Sequence, residues 1–360
     1  MRFPEFSGEW EMASLQDIAA INPKSDQLQN TFIYIDLEAV EKGELRKIQE
    51  IMREEAPSRA QRVINNNDIL FQCVRPYQKN NYIHRILNTS NQQWVASTGY
   101  AQIRTTESPN YIYHLLNTDG FNRKVMVRCT GSSYPAINSE DLATIRFYYT
   151  PDKKEQFKIS RLLDLIDERI ATQNKIIEKY ESLIKGIAQN VACNNKPNIR
   201  LSECLKCSSS TLQESDVCEN GTYPVYGANG IVGYLNNYNT EKEAVYIIKD
   251  GSGVGTVSYV TGKCSATGTL NTLQAKEGYS LQYLYYMLKV FNFETYKTGM
   301  AIPHIYFKDY GKAKIFCPSY TKQLKYVGLL SAIDNKLSAE QSILTDLRLQ
   351  KQYLLRQMFI

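Results

Sequence analysis

Residues 152–190 read DKKEQFKISRLLDLIDERIATQNKIIEKYESLIKGIAQN, and this stretch decides the fold. Its apolar residues recur at alternating steps of four and three, the heptad pattern of a helix that pairs with another helix. They are Ile159, Leu163, Ile166, Ile170, Ile177, Tyr180, Ile184 and Ile187, and Gln173 is the one interruption. Asp152, which follows Pro151, can accept hydrogen bonds from the free amides of a first helical turn. The pattern therefore predicts a long helix over 152–190.

A second stretch, QLKYVGLLSAIDNKLSAEQSILTDLRLQKQYLLRQM at 323–358, repeats the first. At an offset of 167 residues Ile166 aligns with Ile333, and the interruption at Gln173 falls on Glu340. Because a whole domain joins the two helices, we expect them to lie antiparallel as a coiled coil. The predicted pairing positions are Leu163, Ile166, Ile170, Ile177, Ile184, Leu330, Ile333, Leu337, Leu344 and Leu347.

The segments outside the helices also repeat. The motif Gly131-Ser-Ser-Tyr-Pro-Ala-Ile137 matches Gly299-Met-Ala-Ile-Pro-His-Ile305, and Thr98-Gly99 matches Thr267-Gly268. The chain is therefore predicted to be an α+β protein with two tandem mixed α/β domains. Two long helices forming an antiparallel coiled coil separate these domains, in a pseudo-twofold internal repeat. The predicted boundaries are 1–151, 152–190, 191–322 and 323–360, and residues 191–195 are expected to be a polar linker.

Short runs of apolar and β-branched residues predict the elements of the first domain. Strands are expected at Phe32 to Asp36, at Trp94 to Arg104 and at Val125 to Arg128, and a short helix at Tyr111 to Leu116. The segments before the Thr-Gly motif differ between the two halves. Divergence between matching segments suggests that the two domains recognise different things.

Composition and charge restrict the class of protein. The chain has 360 residues, a formal net charge of +5 and a pI near 8.6, which permits a polyanionic partner. No apolar run approaches the length of a membrane span. The N-terminal sequence MRFPEFSGEWEM lacks the apolar core of a signal peptide. A cytoplasmic protein without a membrane partner is expected.

The eight cysteines raise the question of a metal site. Cys204 and Cys207 form a Cys-x-x-Cys pair flanked by Cys193 and Cys218, a pattern that can bind zinc. The outer spacings match no common zinc module, and the corresponding region of the first half has no cysteine. Free cytosolic thiols are therefore the favoured interpretation, with no metal and no cofactor.

Motifs for catalysis are weak. The glycine-rich run Gly251 to Gly255 lies between two strand-like segments, so it predicts a β-hairpin rather than a phosphate-binding loop, which would precede a helix. No methyltransferase motif is present, and Pro151-Asp152-Lys153-Lys154 resembles a nuclease signature only superficially, since it occupies a helix start. The three histidines are not clustered. The sequence favours a binding protein without catalytic residues.

Polar and basic residues interleaved with aromatics suggest contacts to DNA. Arginine and lysine can contact phosphates or guanine edges, and asparagine can bridge adenine. A solvated surface charge is the alternative interpretation for about half of these residues. The candidates are Arg59, Arg62, Arg75, Lys79 and Asn80 in the first domain, and Tyr226, Asn229, Lys249, Ser252 and Lys263 in the second.

Several segments, taken in their order, resemble a known family. They are Arg2-Phe-Pro-Glu-Phe with Glu9-Trp10, Ala56-Pro-Ser-Arg-Ala60, Asp68-Ile-Leu, Val74-Arg-Pro76, Tyr223 to Tyr234, Gly251 to Val260, Ser265 to Leu270 and the two helical regions. Together they resemble the DNA-specificity (S) subunit of type I restriction–modification systems, over essentially the whole chain. The resemblance implies that 1–151 and 191–322 are target recognition domains, each reading half of a split sequence in double-stranded DNA.

The same resemblance implies partners. Two methyltransferase (M) subunits would be held by the helices, and restriction (R) subunits would join that core. Catalysis, S-adenosylmethionine and ATP would then belong to the partners, within a host defence against foreign DNA. Two alternatives stay open: the specificity subunit of a related methyltransferase–nuclease system, and a coiled-coil adaptor that does not bind DNA.

Overall fold

The computed structural model describes residues 2–85, 92–299 and 302–359, and it divides the chain into two compact units. The first unit comprises Met1–Gln173 and Ile343–Ile360, and the second comprises Asn174–Ser342. Each unit therefore contains one α/β domain together with part of each long helix. None of the described helices is long and apolar enough to cross a membrane.

The first unit contains twelve described strands and four short helices before the first long helix. The strands are β1 Glu11–Ser14, β2 Ala19–Ile21, β3 Thr31–Ile35, β4 Val40–Glu41, β5 Glu44–Leu45, β6 Gln49–Met52, β7 Ala60–Ile64, β8 Ile69–Gln72, β9 Tyr82–Ile83, β10 Gln93–Ser97, β11 Tyr100–Thr105 and β12 Arg146–Tyr149. The helices are α1 Leu15–Ile18, α2 Pro109–Leu116, α3 Asp119–Arg128 and α4 Ser139–Ala143, followed by α5 Lys153–Cys193.

Two four-stranded sheets form the body of this unit, in the orders β6-β3-β10-β7 and β2-β11-β8-β9. Among the described strands of this unit, only β3 and β10 pair in parallel. Strand β8 is buried on both faces, because Leu70 packs between the two sheets with Tyr100, whereas Ile69 and Phe71 pack toward α2, α3 and α5. The second sheet thus lies between the first sheet and the helices.

The structure corrects the prediction of a strand at Val125 to Arg128, since these residues end helix α3. The side chain of Thr118 accepts a hydrogen bond from the backbone N–H of Phe121 and so caps the helix start. Phe121 and Val125, one helical turn apart, are both buried. The predicted strand at 32–36 and the predicted helix at 111–116 are confirmed. The segment predicted as a strand at 94–104 forms two strands, β10 and β11, which a turn at Thr98-Gly99 joins.

The second unit repeats this plan with fewer strands. Its strands are β13 Ile199–Arg200, β14 Leu205–Ser209, β15 Tyr223–Gly227, β16 Gly230–Leu235, β17 Glu243–Ile248, β18 Val257–Thr261, β19 Ser265–Ala266, β20 Leu270–Ala275 and β21 Lys314–Ile315. Its helices are α6 Leu201–Cys204, α7 Leu281–Lys289, α8 Phe307–Tyr310 and α9 Tyr320–Met358. The sheets have the orders β14-β20-β17-β18 and β16-β15-β19. The antiparallel pair β17–β18 confirms the hairpin predicted around Gly251.

The long helices begin and end close to the predicted positions. The side chain of Asp152 accepts hydrogen bonds from the backbone N–H groups of Lys154 at 2.8 Å and Glu155 at 3.3 Å, which confirms the predicted start of α5. Helix α5 continues to Cys193, so part of the expected linker at 191–195 is helical. Helix α9 starts at Tyr320, three residues before the predicted stretch.

The predicted pairing positions follow one stripe along each helix. Eight of the ten are buried: Leu163, Ile166, Ile177, Ile184, Leu330, Leu337, Leu344 and Leu347. Ile170 and Ile333 are half-buried. Within the first unit Lys351 forms an ion pair with Asp167 at 2.6 Å. Which of these apolar side chains meet each other across the helices stays a prediction.

Each α/β domain is attached to a long helix by a buried glutamine. In the first unit Gln156 accepts a hydrogen bond from the N–H of Ser108 at 3.0 Å and donates to the carbonyl of Thr150 at 2.8 Å. In the second unit Gln323 accepts from the N–H of Ser280 at 2.9 Å and donates to the carbonyl of Pro318 at 2.8 Å. Both glutamines are buried and stand 167 residues apart, the offset of the helix repeat.

Replacement of Gln156 by leucine is expected to lower the free energy of unfolding by about 2 kcal/mol, because the N–H of the half-buried Ser108 and the carbonyl of the buried Thr150 lose their partners. Urea denaturation of the full chain measures the change. Gln189→Leu, at an exposed position of the same helix, is the matched control and should change stability by no more than about 0.5 kcal/mol. Equal effects of the two substitutions would contradict the attachment role of Gln156.

Candidate nucleic-acid interface

In the first unit a group of loops is held together by backbone hydrogen bonds. The N–H of Cys73 donates to the carbonyl of Gly99 at 3.0 Å, and the carbonyl of Cys73 accepts from the N–H of Ile137 at 3.0 Å. The N–H of Arg75 donates to the carbonyl of Pro135 at 2.7 Å. We call this set of contacts between the segments 73–79, 97–99 and 129–137 the loop frame of the first unit.

The second unit contains the same loop frame, built from 249–256, 267–269 and 297–305. The N–H of Lys249 donates to Thr269 and its carbonyl accepts from Ile305, both at 3.0 Å. The N–H of Gly251 donates to the carbonyl of Pro303 at 3.0 Å. The repeated sequence motifs therefore occupy equivalent positions in the two domains, which confirms the internal repeat. Within the second motif, residues 300 and 301 lie outside the described residues.

A pair of backbone hydrogen bonds closes each loop frame. Thr130 and Ala136 exchange two backbone hydrogen bonds of 2.9 Å, and Thr298 and His304 exchange two of 2.9 and 2.8 Å. The turns start at Gly131 (φ +89°) and Gly299 (φ +86°), where a side chain would meet the carbonyl oxygen that follows in the loop. This left-handed backbone and close approach explain the glycine in both motifs.

The two loop frames differ at one backbone position. Gly251 has a φ of +95°, and the residue that makes the equivalent hydrogen bond in the first unit is Arg75, with a φ of +53°. A left-handed conformation costs a non-glycine residue roughly 1–2 kcal/mol. The Arg75 guanidinium lies 4.3 Å from the ring centroid of Tyr134, whose side chain is 64% exposed. The first frame thus places a cation on an aromatic ring where the second has no side chain.

Arg59 and Arg62 flank the same frame. Arg59 is exposed in the turn before β7, and its carbonyl accepts a hydrogen bond from the N–H of Thr98 at 2.9 Å. Arg62, on β7, is half-buried, and burial lowers the pKa of its guanidinium. Its Nε is buried without a hydrogen-bond partner in the part of the chain that the structure describes. An unsatisfied buried donor of this kind is uncommon in folded proteins.

The family model of the type I restriction modification DNA specificity domain matches residues 7–182 and 198–348 of this chain. The two matches cover both α/β domains and most of both long helices. The chain belongs to the type I restriction–modification DNA specificity family. The two tandem domains are therefore the specificity domains of this family.

Curated relatives of this specificity family are similar in sequence. A putative type I specificity subunit of Mycoplasma genitalium is 24% identical over 69% of this chain and 70% of its own length. The specificity subunit of the type I restriction enzyme EcoprrI from Escherichia coli is 27% identical over 32% of this chain and 29% of its own length.

Solved structures share the fold. A crystal structure of a type I restriction–modification S subunit from M. genitalium superposes with a TM-score of 0.64, at 17% identity, over 98% of this chain and 96% of that one. A structure described for complex assembly and conformational transition of the type I R-M system gives a TM-score of 0.55, at 20% identity, over 97% of both chains.

Two of the predicted contact residues of this specificity chain are tied to other parts of the protein. The Lys79 ammonium forms an ion pair with Asp119 at 2.8 Å and donates to the carbonyl of Asn117 at 3.1 Å. The side-chain oxygen of Asn80 accepts from the N–H of Lys42 at 2.9 Å. The side chains of Lys79 and Asn80 are therefore bound to other groups of the first unit.

In the second specificity domain four predicted residues lie around the loop frame. Lys249 is half-buried at the frame, and Ser252 is exposed in the loop that follows. The carbonyl of Tyr226 accepts from the N–H of Thr267 at 2.9 Å, and Asn229 is exposed in the adjoining turn between β15 and β16. These residues approach one end of the two sheets.

Lys263 stands apart from these four residues. It follows β18, at the opposite end of the β17–β18 hairpin from Ser252. Its ammonium lies 4.7 Å from the ring centroid of Tyr238 and 5.9 Å from that of Tyr223. The structure thus places it in a separate cluster of one cation and two tyrosines.

Sequence reasoning missed three side chains of the loop frames. Tyr134 contacts Arg75, and in the second domain His304 Nδ1 lies 2.7 Å from Asp250 Oδ1. Tyr134 and His304 both neighbour the proline of the repeated motif, so the motif itself indicated their place. Their partners lie far away in sequence, and only the fold identifies them.

The cysteines do not gather into a metal site. Among the described residues no group of three or more His, Cys, Asp or Glu side chains could hold a metal ion. The Cys204 thiol contacts the carbonyl of Leu201 at 3.4 Å. Burial raises the pKa of Cys204 to about 12 and that of Cys207 to about 11, so both thiols stay protonated near neutral pH.

Proposed function

We propose that this chain is the subunit of a type I restriction–modification complex that reads a bipartite sequence in double-stranded DNA. Each specificity domain would read one half of the target with its loop frame. The observation that carries this proposal is the duplication of one backbone frame with different side chains. A shared frame supports a common way of docking, and different side chains support different base preferences.

The proposed DNA contacts in the first domain are those of Arg59, Arg62 and Arg75. The exposed Arg59 suits a phosphate contact, because such contacts position a protein without reading sequence. Arg75, supported by Tyr134, suits a guanine edge, which accepts two hydrogen bonds from one guanidinium. Lys79 and Asn80 remain predicted contacts, and they would have to exchange their present partners for DNA.

In the second domain the proposed contacts are Lys249, Ser252, Asn229 and Tyr226. Lysine supplies a phosphate contact, and serine and asparagine can bond base edges. Lys263 remains a predicted contact at the other end of the hairpin. Specific binding should weaken steeply as salt rises, since each phosphate contact releases counterions.

The long helices would hold the partner subunits. Beyond the buried stripe they expose further large apolar side chains, which is unusual for a surface without a partner. These are Leu165, Leu183, Leu329, Ile343 and Leu349. We propose that two methyltransferase subunits dock on these faces and that restriction subunits join the assembly in the cytoplasm. The chain would contribute no catalytic residue and no cofactor.

Exchange of residues 1–151 for the matching domain of a related specificity subunit tests the independence of the two domains. We expect one half of the methylated target to change and the other half to stay the same, because each loop frame is complete within its own unit. Mapping of methylated bases in host DNA by single-molecule sequencing measures the result.

The reciprocal exchange of residues 191–322 is the matched control and should change the other half-site. A simultaneous change of both half-sites in either hybrid would contradict independent reading. Methylation at unchanged sites in both hybrids would contradict DNA reading by these domains altogether.

A further inference from the structure

An open groove of about 1020 Å³ lies in the first unit beside helix α3. One wall is α3 itself, and the others come from β12 and from the last turns of α9. The groove shares Lys79 with the segments of the loop frame, but none of the residues that form the frame's hydrogen bonds lines it.

The walls of the groove are largely apolar. Helix α3 buries Phe121 and Val125 on one side, whereas Val127 is 87% exposed on the other. Met126, Tyr148 and Leu355 extend the apolar lining around Val127. Apolar surface gathered in a concave site, unlike single exposed side chains, indicates a binding surface.

The charges of the lining are predominantly positive. Four cationic side chains, Lys79, Arg123, Lys124 and Arg356, accompany one carboxylate, Asp119. Asp119 already forms ion pairs with Lys79 at 2.8 Å and with Arg356 at 3.0 Å. Lys124 donates to the carbonyl of Arg146 and keeps its charge, and Arg123 is exposed with no ion-pair partner among the described residues. An occupant of this groove meets unneutralised positive charge.

We propose that this groove binds an acidic amphipathic helix of a partner polypeptide. Apolar side chains spaced three and four residues apart on that helix would cover Val127 and Met126, and flanking carboxylates would meet Arg123 and Lys124. A DNA backbone fits less well, because phosphates gain nothing from the apolar lining. The proposal uses groove residues alone and does not rest on DNA reading by the loop frames.

A labelled designed peptide provides the probe. The peptide has about 15 residues, the length at which an isolated helix becomes stable in water. It carries leucines at positions i, i+3, i+4 and i+7 and glutamates elsewhere. Its counterpart carries lysines in place of the glutamates. Fluorescence anisotropy with the full-length protein should show at least about tenfold tighter binding of the glutamate peptide.

Two groove variants and one control locate the site. Val127→Glu should weaken the glutamate peptide at least about tenfold, and Arg123→Glu should weaken it while strengthening the lysine peptide. Ile48→Glu, at a 61% exposed apolar position outside the groove, should leave both affinities unchanged. All three positions are exposed, so folding is preserved, which circular dichroism verifies.

Three results would overturn the proposal. The first is glutamate-peptide binding no tighter than that of the lysine peptide, and the second is a loss of affinity in Val127→Glu no larger than in Ile48→Glu. Duplex DNA serves as a third probe: a loss of DNA affinity in both groove variants, with peptide binding unchanged, would assign the groove to nucleic acid instead.

Discussion

Lowering the pH from 7 to 4 is expected to reduce the unfolding free energy through His84 by about 2–3 kcal/mol. His84 is fully buried, its ring centroid lies 4.9 Å from that of Trp94, and burial lowers its pKa to about 4. Neither ring nitrogen has a hydrogen-bond partner within the described residues. In the unfolded chain His84 therefore becomes protonated near pH 6.5, whereas in the folded chain it becomes protonated only near pH 4. Stability from this group is complete above pH 6.5 and is lost as the pH falls.

Urea denaturation across this pH range measures the effect. His84→Phe fills the same aromatic site and should flatten the stability profile between pH 6.5 and 4 by the stated amount. Trp94→Phe keeps the imidazole while altering its neighbour, so the slope should persist in this control. An identical slope in wild type and His84→Phe would show that His84 is not buried as a neutral ring.

Replacement of Arg75 by glycine is expected to reduce specific DNA binding by roughly 10- to 100-fold, the loss typical of one bidentate base contact. The fold should survive, because Gly251 occupies the equivalent position of the second loop frame with the same sign of φ. Glycine relieves the strain of the left-handed backbone, which stabilises the folded state, but it also makes the unfolded chain more flexible, which destabilises the folded state. The two effects oppose each other, so the free energy of unfolding should change by less than about 1 kcal/mol. Binding of duplex targets by the chain together with the proposed methyltransferase subunits measures the loss.

The companion substitution Arg75→Lys separates two roles of the arginine. Lysine keeps the positive charge but lacks the two parallel N–H donors of a guanidinium. A phosphate contact would therefore survive the substitution, and a bidentate guanine contact would not. We expect Arg75→Lys to resemble Arg75→Gly and to relax the preference at one base pair. Arg59→Lys should retain most of the affinity, in keeping with a phosphate contact. Full activity of Arg75→Gly would exclude this residue from recognition.

The sequence was sufficient to predict the duplicated architecture, because heptad spacing and the 167-residue offset are properties of the chain alone. Asp152 as the helix cap and the hairpin at Gly251 also followed from local rules, since both depend on neighbouring residues. Helix α3 was misassigned because Val125 to Arg128 is too short to show a helical period. Thr118 and Phe121, which cap and anchor that helix, precede this short run in the sequence.

The candidate site was harder to predict, because side-chain availability depends on tertiary contacts. Lys79 looked equivalent to Arg75 in sequence, yet only Lys79 finds a carboxylate, on α3. The pairing of Arg75 with Tyr134 joins two loops that the sequence separates. Local rules identify residue types suited to DNA, whereas the fold decides which of them keep their charge unpaired.

Main-chain groups alone make the hydrogen bonds that define the loop frames, from Cys73 to Ile137 and from Lys249 to Ile305. Apart from changes at the glycines and changes to proline, substitutions in these loops therefore leave the scaffold bonds in place. Under the proposed function, point mutations could therefore alter recognition by one domain without disturbing its own frame or the other domain. A lineage that carries such a protein could then change the DNA sequence that it recognises in single steps, each through a folded intermediate.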